Sequence, residues 1–411
     1  MVARLASSTL SAERRSWVAA ALAGSAIFVV AWSLLHVWHW GGYQIIDTPV
    51  YQRYGDAVVA GQVPYRDFGL EYPPGALPAF VVPALFPSGA YRGAFEALML
   101  ACGLAMVVLV ARAAAALGAT GIRLYAPPVL VGAAPLALGT VVLTRFDLWP
   151  AALTAAALTA LLTGRDRVGA GLLGLATAAK FYPAVLLPLA LVWTLRRHGR
   201  RGAFVAFGVF AAVALAVVLP FAVLAPHGVA SSLARHAGRP LQIESLGAAL
   251  LLAGNLLELY DPRVVFSDGS QNLDGRLAET LAAAQTALQG LALVVVWILF
   301  ARSRPTGTAL VAASASAVTA FVAFGKVLSP QFLIWLIPLV PLIAVGSGIA
   351  APALFATSLV LTQLWFPSRY WDVVRLEPVG WLVLLRDLVL VALLAVLLRA
   401  LARARATART A

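Results

Sequence analysis

The chain contains only two lysines, Lys180 in AAKFYP and Lys326 in GKVLSPQ, although Lys and Arg together number 30. Each stands beside a proline inside an otherwise apolar run, where a helix should break. An ammonium group is a compact point charge suited to a phosphate. Carboxylates and guanidinium groups gather in three other stretches. Asp47 opens DTPVYQRYGDAVVAGQ, with Tyr51 one helical turn further on. Arg66, Asp67 and Glu71 crowd against Pro73 and Pro74 in YRDFGLEYPPGALPAF. Arg145 and Asp147 stand in TRFDLWP. Such a mixture suits a polar cavity that binds an anion and moves a proton.

The elements that must hold these residues are set by composition. Of 411 residues 62% are hydrophobic and 11% charged, against roughly 25% charged in a soluble domain. Only a bilayer is a fitting solvent for so apolar a chain. The net charge of +13 is not a nucleic-acid footprint, because the arginines form short clusters between apolar runs, as membrane topology requires. The single Cys102 lies in an apolar stretch and reads as a small core residue, with no disulfide framework and no thiolate metal site. Arg14 and Arg15 precede an apolar run too long for a signal peptide, so that run reads as a retained first span.

Counting positive residues gives a topology with the N-terminus inside. A first span at 16–37 leads to an outer loop at 38–90. Spans at 91–115, 124–142 and 148–163 follow, with Arg145 and Asp147 in a tight outer turn. Residues 168–194 run from one arginine cluster (Arg165, Arg167) to another (Arg196, Arg197, Arg200, Arg201). Two half-spans meeting at KFYP keep both clusters inside, and broken helices at membrane depth usually line a cavity. A span at 202–224, a second outer loop at 225–277, and spans at 278–300, 306–325, 331–347, 349–366 and 379–399 finish the chain. A basic cytoplasmic tail at 400–411 ends it. Residues 47–60 fit a short helix lying on the membrane surface. The apolar run ending at Phe86 is too short for an ordinary span and reads as a dipping helix. The expected fold is therefore all-α, a single polytopic integral membrane domain over 1–411 with about 11–13 transmembrane or re-entrant helices.

At this point the chain resembles a family. Asp47 with Tyr51, GQVPYRDF, EYPP, TRFDLWPAALTAAAL, AAKFYPAVLLPLALVW and KVLSPQFLIWLIPL look like glycosyltransferase family 87 of the GT-C superfamily. That resemblance implies a polyprenyl-phosphate sugar donor, usually of mannose, inversion at the anomeric centre, and a glycolipid or glycan acceptor. It also implies an aspartate base in the first outer loop, which Asp47 matches. In such a reaction one carboxylate takes the acceptor hydroxyl proton, and cations meet the departing phosphate. Lys180 and Lys326, the scarcest cations in the chain, are the expected phosphate ligands. Arg145, Asp147, Tyr51, Arg66, Glu71, Tyr182 and Gln331 complete the expected substrate-binding set. No cofactor, no metal and no nucleic acid are expected, and membrane lipids are the surroundings.

Plainer roles compete for the same residues. Asp47 is also placed to cap its helix. Asp56, Asp67 and Glu71 suit loop ion pairs, Arg145 and Asp147 a structural pair, and both lysines snorkelling anchors. His36 to His39, HVWH, has metal-like spacing but sits with Trp38 and Trp40 in an aromatic belt. GAGLLG at 169–174 follows no strand and reads as small residues for helix packing. The rival function is a transporter or flippase of a lipid-linked sugar at the same cell membrane. Such a carrier also wants cations at a cavity but has no need of a base in the outer loop.

Overall fold

Apolar segments that must satisfy their backbone internally become helices. They do so throughout residues 2–37 and 45–406, which the computed structural model describes. Trp38, His39 and Trp40 of the aromatic belt lie outside the described residues. α1 (Val2–Leu34), α2 (Thr48–Val59), α3 (Leu77–Ala84) and α4 (Tyr91–Ala116) come first. α5 (Ile122–Leu138), the single turn α6 (Val141–Thr144), α7 (Leu148–Leu162) and α8 (Asp166–Ala179) follow. Next are α9 (Leu187–Leu224), bent at Gly199, then α10 (Pro226–Gly238), α11 (Leu246–Leu256) and α12 (Arg276–Ala301). α13 (Gly307–Ala323), α14 (Ala350–Trp365), the short α15 (Tyr370–Val374) and α16 (Gly380–Ala406) complete the chain.

Among the described residues, five helical stretches are long and apolar enough to cross a membrane: Arg15–Leu34, Ser88–Ala116, Tyr182–Leu224, Arg276–Ala301 and Gly380–Arg403. Seven shorter apolar helices accompany them. The chain is a polytopic, predominantly helical membrane protein. At its centre stands α13, buried without interruption from Ala309 to Ala320. Its small residues, ASASA at 313–317, let α12 and α16 approach closely. α1 crosses α5 in the same way, with Gly24 against Pro128 and Gly132 against the Gly24 carbonyl.

α7 and α8 are packed antiparallel partners. Asp147 precedes α7 and Lys180 follows α8, so both lie at one end of the pair. The other end is the turn at Gly164 and Arg165, about 22 Å away along the 15 residues of α7. There the two basic clusters of the 168–194 region meet: His198 Nε2 lies 2.7 Å and Arg197 Nε 3.8 Å from Asp166 Oδ2. The segment between them breaks at KFYP, where the sequence places a break, with an extended Lys180 (φ −159°) followed by a 3₁₀ turn, Tyr182–Leu186. The GAGLLG glycines pack helices: a Cβ on Gly174 would sit 2.5 Å from the Phe210 carbonyl.

One expectation needs correction. The span expected at 331–347 is not an α-helix but two 3₁₀ turns, Pro330–Leu336 and Val340–Val345. Pro330, Pro338 and Pro341 remove the donors that a continuous helix needs, and burial within the protein makes the irregular backbone tolerable. The region between α10 and α12 adds a small sheet to the helical fold. β1 (Leu241–Gln242), β2 (Arg263–Ser267) and β3 (Ser270–Asp274) form an antiparallel sheet in the order β1-β3-β2. Ser267 pairs with Ser270 across a two-residue turn at Asp268 and Gly269, both with positive φ, the Asp-Gly hairpin signal. The same region contains α11, a buried apolar helix packed on α16.

Candidate active site

α2 begins after Asp47, and Pro49 in its first turn pre-sets the helical φ. The Asp47 side chain makes no cap hydrogen bond, so the capping role does not describe it. It turns instead to Arg145, with which it forms an ion pair through Nη1. Arg145 Nη2 also donates to the Ile45 carbonyl at 3.5 Å, and the Tyr51 hydroxyl lies 3.4 Å from Asp47 Oδ2. The guanidinium is thus held against the entrance of α2. Arg145 is extended, between α6 and α7, and its side chain is 7% exposed while that of Asp47 is 30% exposed.

Two residues on, Asp147 belongs to a second pair. Its Oδ1 accepts from Lys180 Nζ and from Trp335 Nε1, each at 2.6 Å. Arg145 and Asp147 are therefore not partners of each other; each joins a residue from a different part of the chain. The Lys180 ammonium is walled by aromatic rings, with Phe146 at 4.6 Å, Trp335 at 5.2 Å, Phe332 at 5.6 Å and Tyr72 at 5.8 Å from the centroids. Ring faces attract a cation, and the effect strengthens where water is excluded. Phe146 also meets Tyr51 and Tyr72, at 5.6 and 4.8 Å, and so joins the two ion pairs into one cluster.

The EYPP segment closes one side of this cluster. Gly75 has no Cβ, which lets its backbone rest on the end of α8: an added Cβ would lie 2.6 Å from Ala178 and Ala179 atoms, one residue before Lys180. Trp149 Nε1 donates to the Gly75 carbonyl at 3.0 Å. Tyr72, three residues earlier, supplies one wall of the lysine cage.

The remaining sequence candidates occupy other places. Tyr182 stacks on Trp335 at 4.3 Å, and its buried hydroxyl contacts Thr154 and Pro150, so it supports the cage from behind. Arg66 pairs with Asp67 on an exposed turn. Arg66, helped by the Val63 N–H, holds the Asp67 carboxyl down at about 2. Glu71 lies in a separate cleft of about 250 Å³ with Tyr54, His236 and Arg239. Its carboxylate is 3.8 Å from Arg239 and its carbonyl accepts from His236. Lys326 donates to the Ala237 carbonyl at the end of α10, at 2.8 Å. No contact among the described residues joins it to Lys180. Gln331 is the second residue of the 3₁₀ turn that carries Phe332 and Trp335.

The aromatic cage was not foreseen as such, because Phe332 and Trp335 sit in a segment that reads as span and Phe146 in a turn read for its charged neighbours Arg145 and Asp147. A buried arginine pair was also missed. Arg386 and Asp387, fully enclosed in α16, lie 2.7 Å apart, and Arg386 Nη2 donates to the Glu244 carbonyl. A charged doublet inside an apolar span was the available signal.

No curated protein matches the chain. The sequence model of glycosyltransferase family 87 matches residues 70–330, more than half of it. The matched range contains Glu71, Arg145, Asp147, Lys180 and Lys326, whereas Asp47 and Tyr51 precede it. With a helical, polytopic fold and a cluster of paired charges at one end of the α7–α8 pair, the chain belongs to glycosyltransferase family 87, a family of membrane glycosyltransferases.

Proposed function

We propose that the chain transfers a hexose, with mannose as the sugar implied by the resemblance, from a polyprenyl-phosphate donor to a lipid-linked or cell-envelope glycan acceptor. The reaction inverts the anomeric carbon and takes place on the extracytoplasmic side of the cell membrane. The observation that carries this reading is the pair of adjacent ion pairs, Asp47 with Arg145 and Asp147 with Lys180. A partly open carboxylate stands there beside cations that water barely reaches.

In this reading Asp47 accepts the acceptor hydroxyl proton as the hydroxyl oxygen bonds to the anomeric carbon. The bond from that carbon to the phosphate oxygen breaks, and the phosphate leaves with the electron pair. Arg145 and Lys180 meet the charge as it develops, in a poorly solvated setting where such attraction is strongest. Arg145 links the two events. Before reaction it stabilises the ionised carboxylate; as the phosphate gains charge, the guanidinium is shared and Asp47 becomes the stronger base. Lys326, Arg66 and Gln331 stand outside this cluster and have no assigned step.

The test is a transfer assay with purified protein, polyprenyl-phosphate mannose labelled in the sugar, and a panel of glycolipid acceptors, followed by determination of the anomeric configuration of the product. Inverted product is the expected result. Retained configuration, or movement of the donor across liposomes with no transfer to any acceptor, would overturn the reading; the second outcome would favour a carrier.

A further inference from the structure

At the opposite end of the α7–α8 pair from Asp147, the bend of α9 at Gly199 opens a second cleft, of about 720 Å³. Gly199 takes a positive φ of 68°, which allows the chain to turn there. Arg165, Arg167 and Arg201 line the cleft together with Asp166 and His198. Its one carboxylate is already engaged: Asp166 lies 2.7 Å from His198 and 3.8 Å from Arg197. The side chains of these three arginines have no carboxylate or hydrogen-bond partner among the described residues, and Asp166 is engaged elsewhere. By contrast, neighbouring Arg196 is bound to the carbonyls of Ala301 and Ser303. The cleft therefore offers several guanidinium groups, and guanidinium is the side chain best matched to a phosphate.

The rest of the cleft is apolar. Val168 and Val205 form part of its wall. Beyond them the second half of α9 continues as an exposed apolar face, with Phe204 76% and Phe207 48% exposed. That helix belongs to a stretch apolar enough to cross a membrane. A ligand fitting both parts has a phosphate at one end and hydrocarbon at the other.

We infer that this cleft is a binding site for the phosphate headgroup of an anionic membrane lipid, whose chains lie along Phe204 and Phe207. It is separate from the Asp47 cluster, about 22 Å away along α7, and does not depend on which sugar the protein transfers. A soluble phosphate compound would use the arginines but leave the apolar face unexplained.

Native mass spectrometry of the detergent-purified protein, incubated with phosphatidylglycerol or phosphatidylcholine, tests the assignment. Wild type should retain one phosphatidylglycerol, bound about tenfold or more tightly than phosphatidylcholine, since each nearby arginine adds attraction for an anionic headgroup. Excess inorganic phosphate should not displace it. Arg165→Gln/Arg167→Gln/Arg201→Gln should lose the preference, whereas Arg200→Gln, next to the cleft but not lining it, should keep it. Thermal unfolding checks that the triple variant is folded; if it is not, Arg201→Gln alone should still weaken retention. The inference fails if the folded variants retain the lipid like wild type, or if Arg200→Gln loses it equally, which would mean diffuse surface charge. It also fails if inorganic phosphate displaces the lipid, which would mean a soluble ligand.

Discussion

Arg145, enclosed at the start of α7, has Asp47 as its one ion-pair partner among the described residues, and Asp47 keeps 30% of its side chain open. The pair is asymmetric, and so are the consequences of breaking it. Asp47→Asn removes the proposed base and leaves an enclosed guanidinium without its partner. Transfer should fall by about 10²–10⁴, and stability by about 1–3 kcal/mol. Adding Arg145→Gln removes the unpaired charge, so the double variant should regain most of the thermal stability while staying inactive. Transfer near the wild-type rate in either Asp47→Asn protein would show that the base lies elsewhere, with Glu71 the next carboxylate to test.

The two lysines should behave differently. Lys180→Met strands the Asp147 carboxylate, which is 1% exposed. Breaking a buried pair by removing one partner costs about 3–5 kcal/mol. Lys180→Met/Asp147→Asn should recover much of that loss in a thermal melt, but donor use should remain impaired. Lys326 instead serves the C-terminal end of α10. A cation there is worth about 0.3–1 kcal/mol, so Lys326→Ala should transfer at nearly the wild-type rate. Equal impairment of donor kinetics by both substitutions would contradict the separation.

The sequence marks the two lysines alike, and the structure places them apart. Scarcity and a neighbouring proline mark both Lys180 and Lys326, and these signals locate a break in a helix. They do not say which way the broken end faces. Asp147, from a segment distant in sequence, decides that for Lys180; the end of α10 decides it for Lys326. The short helices α2, after Asp47, and α3, ending before Phe86, follow from local patterning and were readable. Pairing of Arg145 with Asp47 rather than with Asp147 was not, because it depends on how α2 docks beside α7. The 3₁₀ character of 330–345 was written in three prolines, yet the high hydropathy of that segment concealed it.

Glu244 should give stability a distinct pH dependence. It lies between β1 and α11, 2% exposed, with Gln242 donating to it at 2.6 Å. Burial raises its carboxyl from about 4.5 to about 8, while Arg386, Arg145 and Arg239 pull it down and Asp387 pushes it up. Between these values the folded protein holds a proton that the unfolded chain has released. This group's contribution to stability therefore falls as pH rises from about 4.5 to about 8. Glu244→Gln, which mimics the protonated form, should match wild type near the acid end and be the more stable above the alkaline end. Melting curves across the range check this, and a constant offset between the two proteins would remove Glu244 as the cause.

Gly75 should link the EYPP segment to the position of Lys180. Its backbone lies against Ala178 and Ala179, and the atoms that a Cβ would strike at 2.6 Å are main chain, which cannot swing aside like a flexible side chain. Gly75→Ala must push the segment away from α8. The Trp149 bond to the Gly75 carbonyl would stretch, and Tyr72, one wall of the lysine cage, would move with it. Overpacking of this kind costs about 1–3 kcal/mol. Displacement of a positioned group by about 1 Å can cost roughly 10² in rate. Gly89→Ala is the control, since a Cβ there meets open space. If the segment positions Lys180, Gly75→Ala should weaken donor use well beyond what its loss of stability explains, while Gly89→Ala leaves both unchanged. Donor kinetics measured far below the melting temperature separate the effects. Normal kinetics in a destabilised Gly75→Ala protein would reduce the EYPP contact to packing and leave the orientation of Lys180 to Asp147 and the surrounding rings.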